Sequence, residues 1–370
     1  MKWGLWRIGP ARMSRSPHRL LPLLLLLLSP LGLLAPEAHA ERPDWFELTS
    51  PGFRVLSEAP VEVARETLRT LEALRPGVLG ALGAQRDPGA VDVILFTDRD
   101  TYRDFAGVGS VAKTSWRTAR PLILLRMQRT GAPPRIAVLA HELTHALSHA
   151  TLGRQPRWIA EGMAELLEDM VPTASGGRLI QIPGPTASPR WTPETAEALL
   201  TLDALWAWDR RPPARPELPR YYTASWAWTA YLRDLHPGRW QAFLTALGQG
   251  ERARAAFDRA FAGISAESLW AGVRAWVGQG VASSTQVVQV TPRAASLVEL
   301  PLSRSESGVI RAWVRLLGFD GRALGERRKL AAAELDAALA LTPGLPAAVH
   351  LKSLLGERWD SDVTSLAELR

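Results

Sequence analysis

The chain has 370 residues, 46% of them hydrophobic, a net charge of +7 and no cysteine. Such a length supports one large or two modest folded domains, and the apolar content excludes a wholly disordered chain. The missing cysteines exclude disulfides, thiol catalysis, thiolate metal sites and lipid attachment through an N-terminal cysteine.

The first predicted element, in residues 1–40, is an export signal. Lys2, Arg7, Arg12, Arg15 and Arg19 face only Glu37, so over half of the net positive charge sits in this segment. An apolar run from Leu20 to Leu34 follows and leads to Ala38-His39-Ala40, the small-x-small pattern at which a signal peptidase cuts. Pro22, Pro30 and Gly32 interrupt the run and argue against a membrane anchor, and no adjacent arginine pair points to the twin-arginine route. The expected location is a Gram-negative periplasm, with full secretion or an uncleaved N-terminal anchor as alternatives. No later segment reaches the ~20 apolar residues that a span requires. No basic stripe interleaved with aromatics is present either, so nucleic acid is not an expected partner.

Beyond the signal, residues 45–48 and 53–56 are predicted as short strands split by Pro51-Gly52, and 61–75 as an amphipathic helix. Residues 91–96 are predicted as a buried strand, 101–105 as the start of a helix, and 120–127 as an edge strand because polar residues surround it. Pro133-Pro134 opens a long helix over about 135–151, stopped by Gly153 and Pro156, and a second comes after it over 158–170. Residues 171–192 read as a Pro/Gly/Ser-rich loop. Helices are then predicted over 193–208, 222–235, 238–247, 252–261 and 266–277. A break at 283–299 precedes a helix–turn–helix over 329–341 and 345–355. Ala332, Leu335, Ala338 and Ala340, with Thr342-Pro343 and Ala347-Ala348, are similar to one tetratricopeptide boundary. A terminal packing hairpin explains them equally, since a stable array needs about three repeats.

Within the long helix stands His141-Glu142-Leu143-Thr144-His145. Positions i and i+4 lie one turn apart on one helix face, so both imidazoles can reach one zinc ion, with Glu142 beside it as a base that does not ligate. Ile136, Val138, Leu139, Leu143 and Leu147 give the helix an apolar side, and buried imidazoles need a shared partner. The third ligand is reached by elimination. Ser148 and Thr151 stand where a metzincin needs Gly and His, thiolates are absent, and His149 would put three ligands in a straight row. His149 is expected to be exposed or to line the cleft mouth. That leaves the second helix, with Glu161 in its first turn. Gly162 and Ala164 would let it approach the first helix closely, and Glu165 could accept a bond from a ligand imidazole. Glu168 and Asp169 read as solvated charges.

H-E-L-T-H followed by W-I-A-E-G-M-A-E resembles the gluzincin signature, and the flanking segments from about Trp45 to Val277 resemble the peptidase MA-like exported proteins of bacteria. The resemblance implies Glu161 as the third zinc ligand. It also implies that the Tyr221-Tyr222-Thr223-Ala224-Ser225 helix turns a tyrosine to the metal. Tyr222 fits that spacing best, with Tyr221 as fallback. No G-x-M-E-N segment occurs, so aminopeptidase action is unsupported.

The expected fold is α+β and zincin-like, with a small sheet packed on the H-E-x-x-H helix and a mostly helical C-terminal half. The expected domains are a signal peptide at 1–40, a metal-bearing subdomain at 41–170, a helical subdomain at 171–280 and a helical extension at 281–370. The expected function is zinc-dependent peptide hydrolysis: His141, His145 and Glu161 hold the metal, Glu142 is the base, Tyr222 the oxyanion donor and Glu165 the support. The partners are a peptide or protein substrate and, through the C-terminal helices, a protein. The rivals are a zinc-bearing scaffold and a zinc hydrolase of a cell-wall amide.

Overall fold

The fold is taken from a computed structural model that describes residues 45–84, 86–116, 118–172, 179–182, 199–278, 286–289 and 297–356. The expected signal at 1–40, most of the 171–192 loop and residues 193–198 of the helix after it lie outside the described residues.

The described chain is α+β. Its main sheet starts with the hairpin β1 (Phe46–Thr49) and β2 (Phe53–Ser57), crosses through α1 (Val61–Ala81) and continues with β3 (Val91–Phe96). Helix α2 (Arg99–Ala106), capped by the Asp98 carboxylate accepting from the Asp100 and Thr101 amides, leads to the hairpin of β4 (Ala112–Ser115) and β5 (Leu122–Arg126). Burial alone would raise the Asp98 carboxyl, but those donors hold it below the usual carboxylate range. A second, three-stranded antiparallel sheet contains β6 (Val171–Pro172), β7 (Leu179–Ile182) and β8 (Gln286–Gln289). Strand β9 (Val298–Pro301) returns to the main sheet, whose order is β4-β5-β3-β2-β1-β9. Strands β2, β3 and β5 run parallel, and the outer pairings are antiparallel.

Three expectations need correction here, the first being the 171–192 loop, which holds β6 and β7 because Leu179–Ile182 pairs with the distant β8. Residues 120–127 do not form an edge: β5 lies between β3 and β4, and its Leu122, Ile123, Leu124 and Leu125 are all fully buried. An unbroken apolar run marks a strand covered on both faces, and that signal outranks polar neighbours in sequence. The true edge, β4, reads Ala-Lys-Thr-Ser and carries little apolar signal. The first helix does not stop at residue 75. It continues through Pro76 to Ala81 because Val78 and Leu82 anchor its end in the core.

The helices that carry the predicted motifs are α3 (Ile136–Leu152) and α4 (Arg157–Leu167). Then come α5 (Leu202–Ala207), α6 (Leu218–Leu235), α7 (Pro237–Gly248), α8 (Ala253–Ala260) and α9 (Ala266–Gly278). After β9 come α10 (Arg304–Leu317), α11 (Leu324–Leu341) and α12 (Pro346–Gly356). Helix α10 adds to the expected elements. A capping box starts it, with the Ser303 hydroxyl accepting from the Glu306 amide and the Glu306 carboxylate accepting from the Ser303 amide.

Alternation along the strands divides the interior in two. Phe53, Val55, Val93, Leu95, Ile123 and Leu125 point to one face, where α1, α3, α4 and helices α5 to α9, all but α8 bearing tryptophan, form the larger core. Leu56, Ile94, Phe96, Leu122 and Leu124 point to the other, where α2 and α10 to α12 form a second core around Trp313. On that second face Arg54 and Asp92, directly opposite in register, make a buried ion pair at 3.1 Å.

Candidate metal centre

Helix α3 lies on the first face of the sheet, with α1 on one side and α4 on the other, and it reaches the sheet at β4 and β5. Leu139, Leu143, Ala146 and Leu147 turn into the core, so His141, Glu142, His145 and His149 face a cleft of about 1140 Å³. Gly153 ends the helix with φ at 65°, a left-handed value that favours glycine.

The position of α4 depends on Gly162. A Cβ there would stand 2.2 Å from the Thr229 hydroxyl and 2.6 Å from the Ser225 carbonyl, both on α6. The expectation that Gly162 serves packing against α3 is therefore corrected: its close neighbour is α6. That contact aims the cleft-facing side of α4 at the two histidines.

There the side chains converge. His141 Nε2 and His145 Nε2 are 3.1 Å apart, and Glu161 Oε2 stands 3.4 Å from His145 Nε2 and 3.9 Å from His141 Nε2. Donors around a tetrahedral ion at about 2.1 Å lie about 3.4 Å from one another, so these three atoms fit one small divalent cation. The other carboxylate oxygen of Glu161 faces Arg157 at 3.5 Å, and that guanidinium lies over the Trp208 ring at 4.9 Å. Both charged groups respond to the arrangement. Burial would lower the His145 imidazole, but the Glu161 carboxylate raises it above its ordinary value. Burial would raise the Glu161 carboxyl, but His145, His141 and Arg157 together lower it.

Around this triad stand further carboxylates and a hydroxyl. His141 Nδ1 faces Glu168 Oε2 at 3.3 Å and Glu165 Oε1 at 4.0 Å. Glu165 is near the imidazole as expected, but the hydrogen-bonding carboxylate belongs to Glu168, which was expected in solvent. Glu161, Glu165 and Glu168 stand at i, i+4 and i+7 on one helix, a spacing that puts all three on one face and would have revealed it. Asp169 is half-buried, and its carboxyl is raised by burial and by neighbouring Glu168. Glu142 lines the cleft without joining the triad. Its Oε2 accepts a 2.6 Å hydrogen bond from the Thr114 hydroxyl on edge strand β4, a residue that no sequence pattern marks.

Both tyrosine rings lie against Trp208, Tyr221 at 5.0 Å and Tyr222 at 5.6 Å, but Tyr222 is the one that lines the cleft. Burial first, then the nearby Glu161 charge, raises the Tyr222 hydroxyl above its ordinary value, so it keeps its proton at neutral pH. His149 lines the cleft wall stacked on Trp116, with rings 4.7 Å apart and 15° from parallel, and burial lowers its imidazole. No protein-family model and no curated protein matches the chain.

Proposed function

We propose that the chain is an exported, zincin-like metallopeptidase of the gluzincin type. His141, His145 and Glu161 would hold zinc, a metal suited to two imidazoles and a carboxylate in four-coordinate geometry. The observation that carries the proposal is the Glu142 carboxylate: it lies beside the donor triad, outside it and on the same cleft. A site that only stores a cation has no need of such a group. The basic and apolar N-terminal segment supports export.

Zinc bound there supplies Lewis-acid chemistry, polarising the scissile carbonyl and acidifying water. Glu142 takes a proton from the attacking water and returns it to the departing amine. Thr114 holds one oxygen of that carboxylate, which leaves the other free for the water. The Tyr222 hydroxyl, protonated at neutral pH, donates to the developing oxyanion. Glu168, with Glu165 behind it, orients the His141 ring, and Arg157 orients Glu161.

A mixed library of internally quenched peptides, with metal content measured on the same samples, tests the mechanism. Glu142→Gln is expected to retain one zinc per chain while turnover falls by about 10²–10⁴. His145→Ala is expected to lose the metal. Undiminished hydrolysis by zinc-loaded Glu142→Gln would exclude Glu142 as the base.

A further inference from the structure

Strands β3 and β5 are parallel and end on the same side of the sheet, at Phe96 and Arg126. Their continuations therefore emerge together: α2 after β3, and the start of α3 after β5. This topology gathers Arg99 and Arg103, one turn apart on α2, with Arg126 at the end of β5 and Arg135 at the N-cap of α3, all lining the metal cleft.

Their surroundings separate these arginines from the charges on the cleft floor. Glu161 meets His145 and Arg157, Glu168 meets His141, and Glu142 accepts from Thr114. Among the described residues, Arg99, Arg126 and Arg135 make no ion pair with a carboxylate, and Arg103 has only exposed Asp100 at 3.8 Å. Arg126 donates one bond to the Met127 carbonyl, while its buried Nε has no partner. The wall shares its cleft with Glu142 and with His141 and His145. Four like charges lining one cleft, none of them in an ion pair with its carboxylates Glu142, Glu161, Glu165, Glu168 or Asp209, repel each other and favour an anion beside them. Charge of the opposite sign on a ligand relieves that cost.

Resting on the peptidase function above, we propose that the cleft selects peptides with carboxylates on one side of the cleaved bond, bound by Arg99, Arg103, Arg126 and Arg135. Those carboxylates are Asp or Glu side chains or a free chain terminus.

Matched peptides test this, with an acidic block in the amino or carboxyl half, its Asn/Gln counterpart, and free or amidated C-termini. Cleavage is read as kcat/KM on the zinc-loaded enzyme, and binding as fluorescence anisotropy on zinc-loaded Glu142→Gln. The acidic block is expected to bind and to be cleaved about tenfold better in one half only, with the advantage shrinking in 0.5 M salt. Arg99→Glu/Arg103→Glu, two changes outside the core, should abolish or reverse the preference at an unchanged melting temperature. Arg135→Glu, on another element, should weaken it severalfold. An advantage confined to free C-termini would assign the wall to the terminal carboxylate and support the proposal in that form. Equal handling of acidic and neutral peptides, or an undiminished preference in well-folded charge-reversal variants, would overturn it and leave the peptidase function standing. Charge-dependent binding with no cleavage of any peptide would sink the peptidase function and keep the anion-binding cleft. Tighter binding of polyphosphate of equal charge, with no advantage for acidic peptides, would also overturn it.

Discussion

The two faces of the main sheet arise from the same strands by the same alternation, yet they are covered differently. One face receives α1, α3 and a set of tryptophan-bearing helices, and it opens at its rim into the cleft with three carboxylates near His141. The other receives α2 and the α10–α12 bundle and closes over Trp313, with charges at its margin paired off as Asp104–Arg315 and Asp104–Arg322. On the closed face the Asp104 pairs tie α2 to α10 and to the turn that follows it. The open face retains groups that need something from outside, and for that reason it is where chemistry is expected.

The harshest way to break this comparison is to end the chain at Gly278. The truncation strips β9 and α10–α12 and bares Leu56, Ile94, Phe96, Leu122 and Leu124. Loss of soluble protein, or loss of cooperative melting by circular dichroism, is the expected result. A milder test on the open face is Gly162→Ala, which forces α4 away from the Thr229 hydroxyl and the Ser225 carbonyl. Destabilisation of about 3 kcal/mol by denaturant titration is expected, together with weaker metal binding because Glu161 moves with its helix. On the closed face, Arg315→Ala removes the 2.6 Å bond to Asp104 and the guanidinium lying 4.2 Å over Phe105. The expected cost is about 1–2 kcal/mol in the same titration, with metal affinity unchanged.

The smallest effect sharpens the contrast without any mutation. Metal must displace a proton from His145, whose imidazole is raised above its ordinary value because the influence of Glu161 exceeds that of burial. Apparent metal affinity should therefore climb as pH rises through that raised value and level off above it. Glu161, lowered, is already ionised across this range and adds no slope. Chelator competition between about pH 5 and 8 measures it; a flat profile would exclude proton release from this imidazole.

How much of this was legible in sequence differs by region for physical reasons. His141, Glu142 and His145 obey a helical spacing, so their shared face is set by local geometry, and Glu161 comes with them because α4 begins only a few residues after α3 ends. Strand β3 was legible because an apolar run bounded by turn residues has few alternatives. Glu168 was misread although its spacing was available, since an acidic residue at a helix end is usually solvated. Thr114 carried no signal: its role arises where β4 meets α3, and nothing in Ala-Lys-Thr-Ser announces that meeting. Within the break expected over 283–299, the alternation at Val287–Val290 overlaps β8, but the partners of β8 and β9 lie far away in sequence and no local pattern announces them.

The pairing of Phe46 with Pro301 also determines when folding can finish. The partners are about 250 residues apart in sequence, so everything between them must be made before the sheet gains its outer ribbon. Closing so long a loop carries a large entropic penalty, and topologies dominated by distant contacts fold slowly. A growing or threading polypeptide would pass through an unfinished state with β1 unguarded along one edge. Conditions that delay β9 should therefore delay completion of the main sheet.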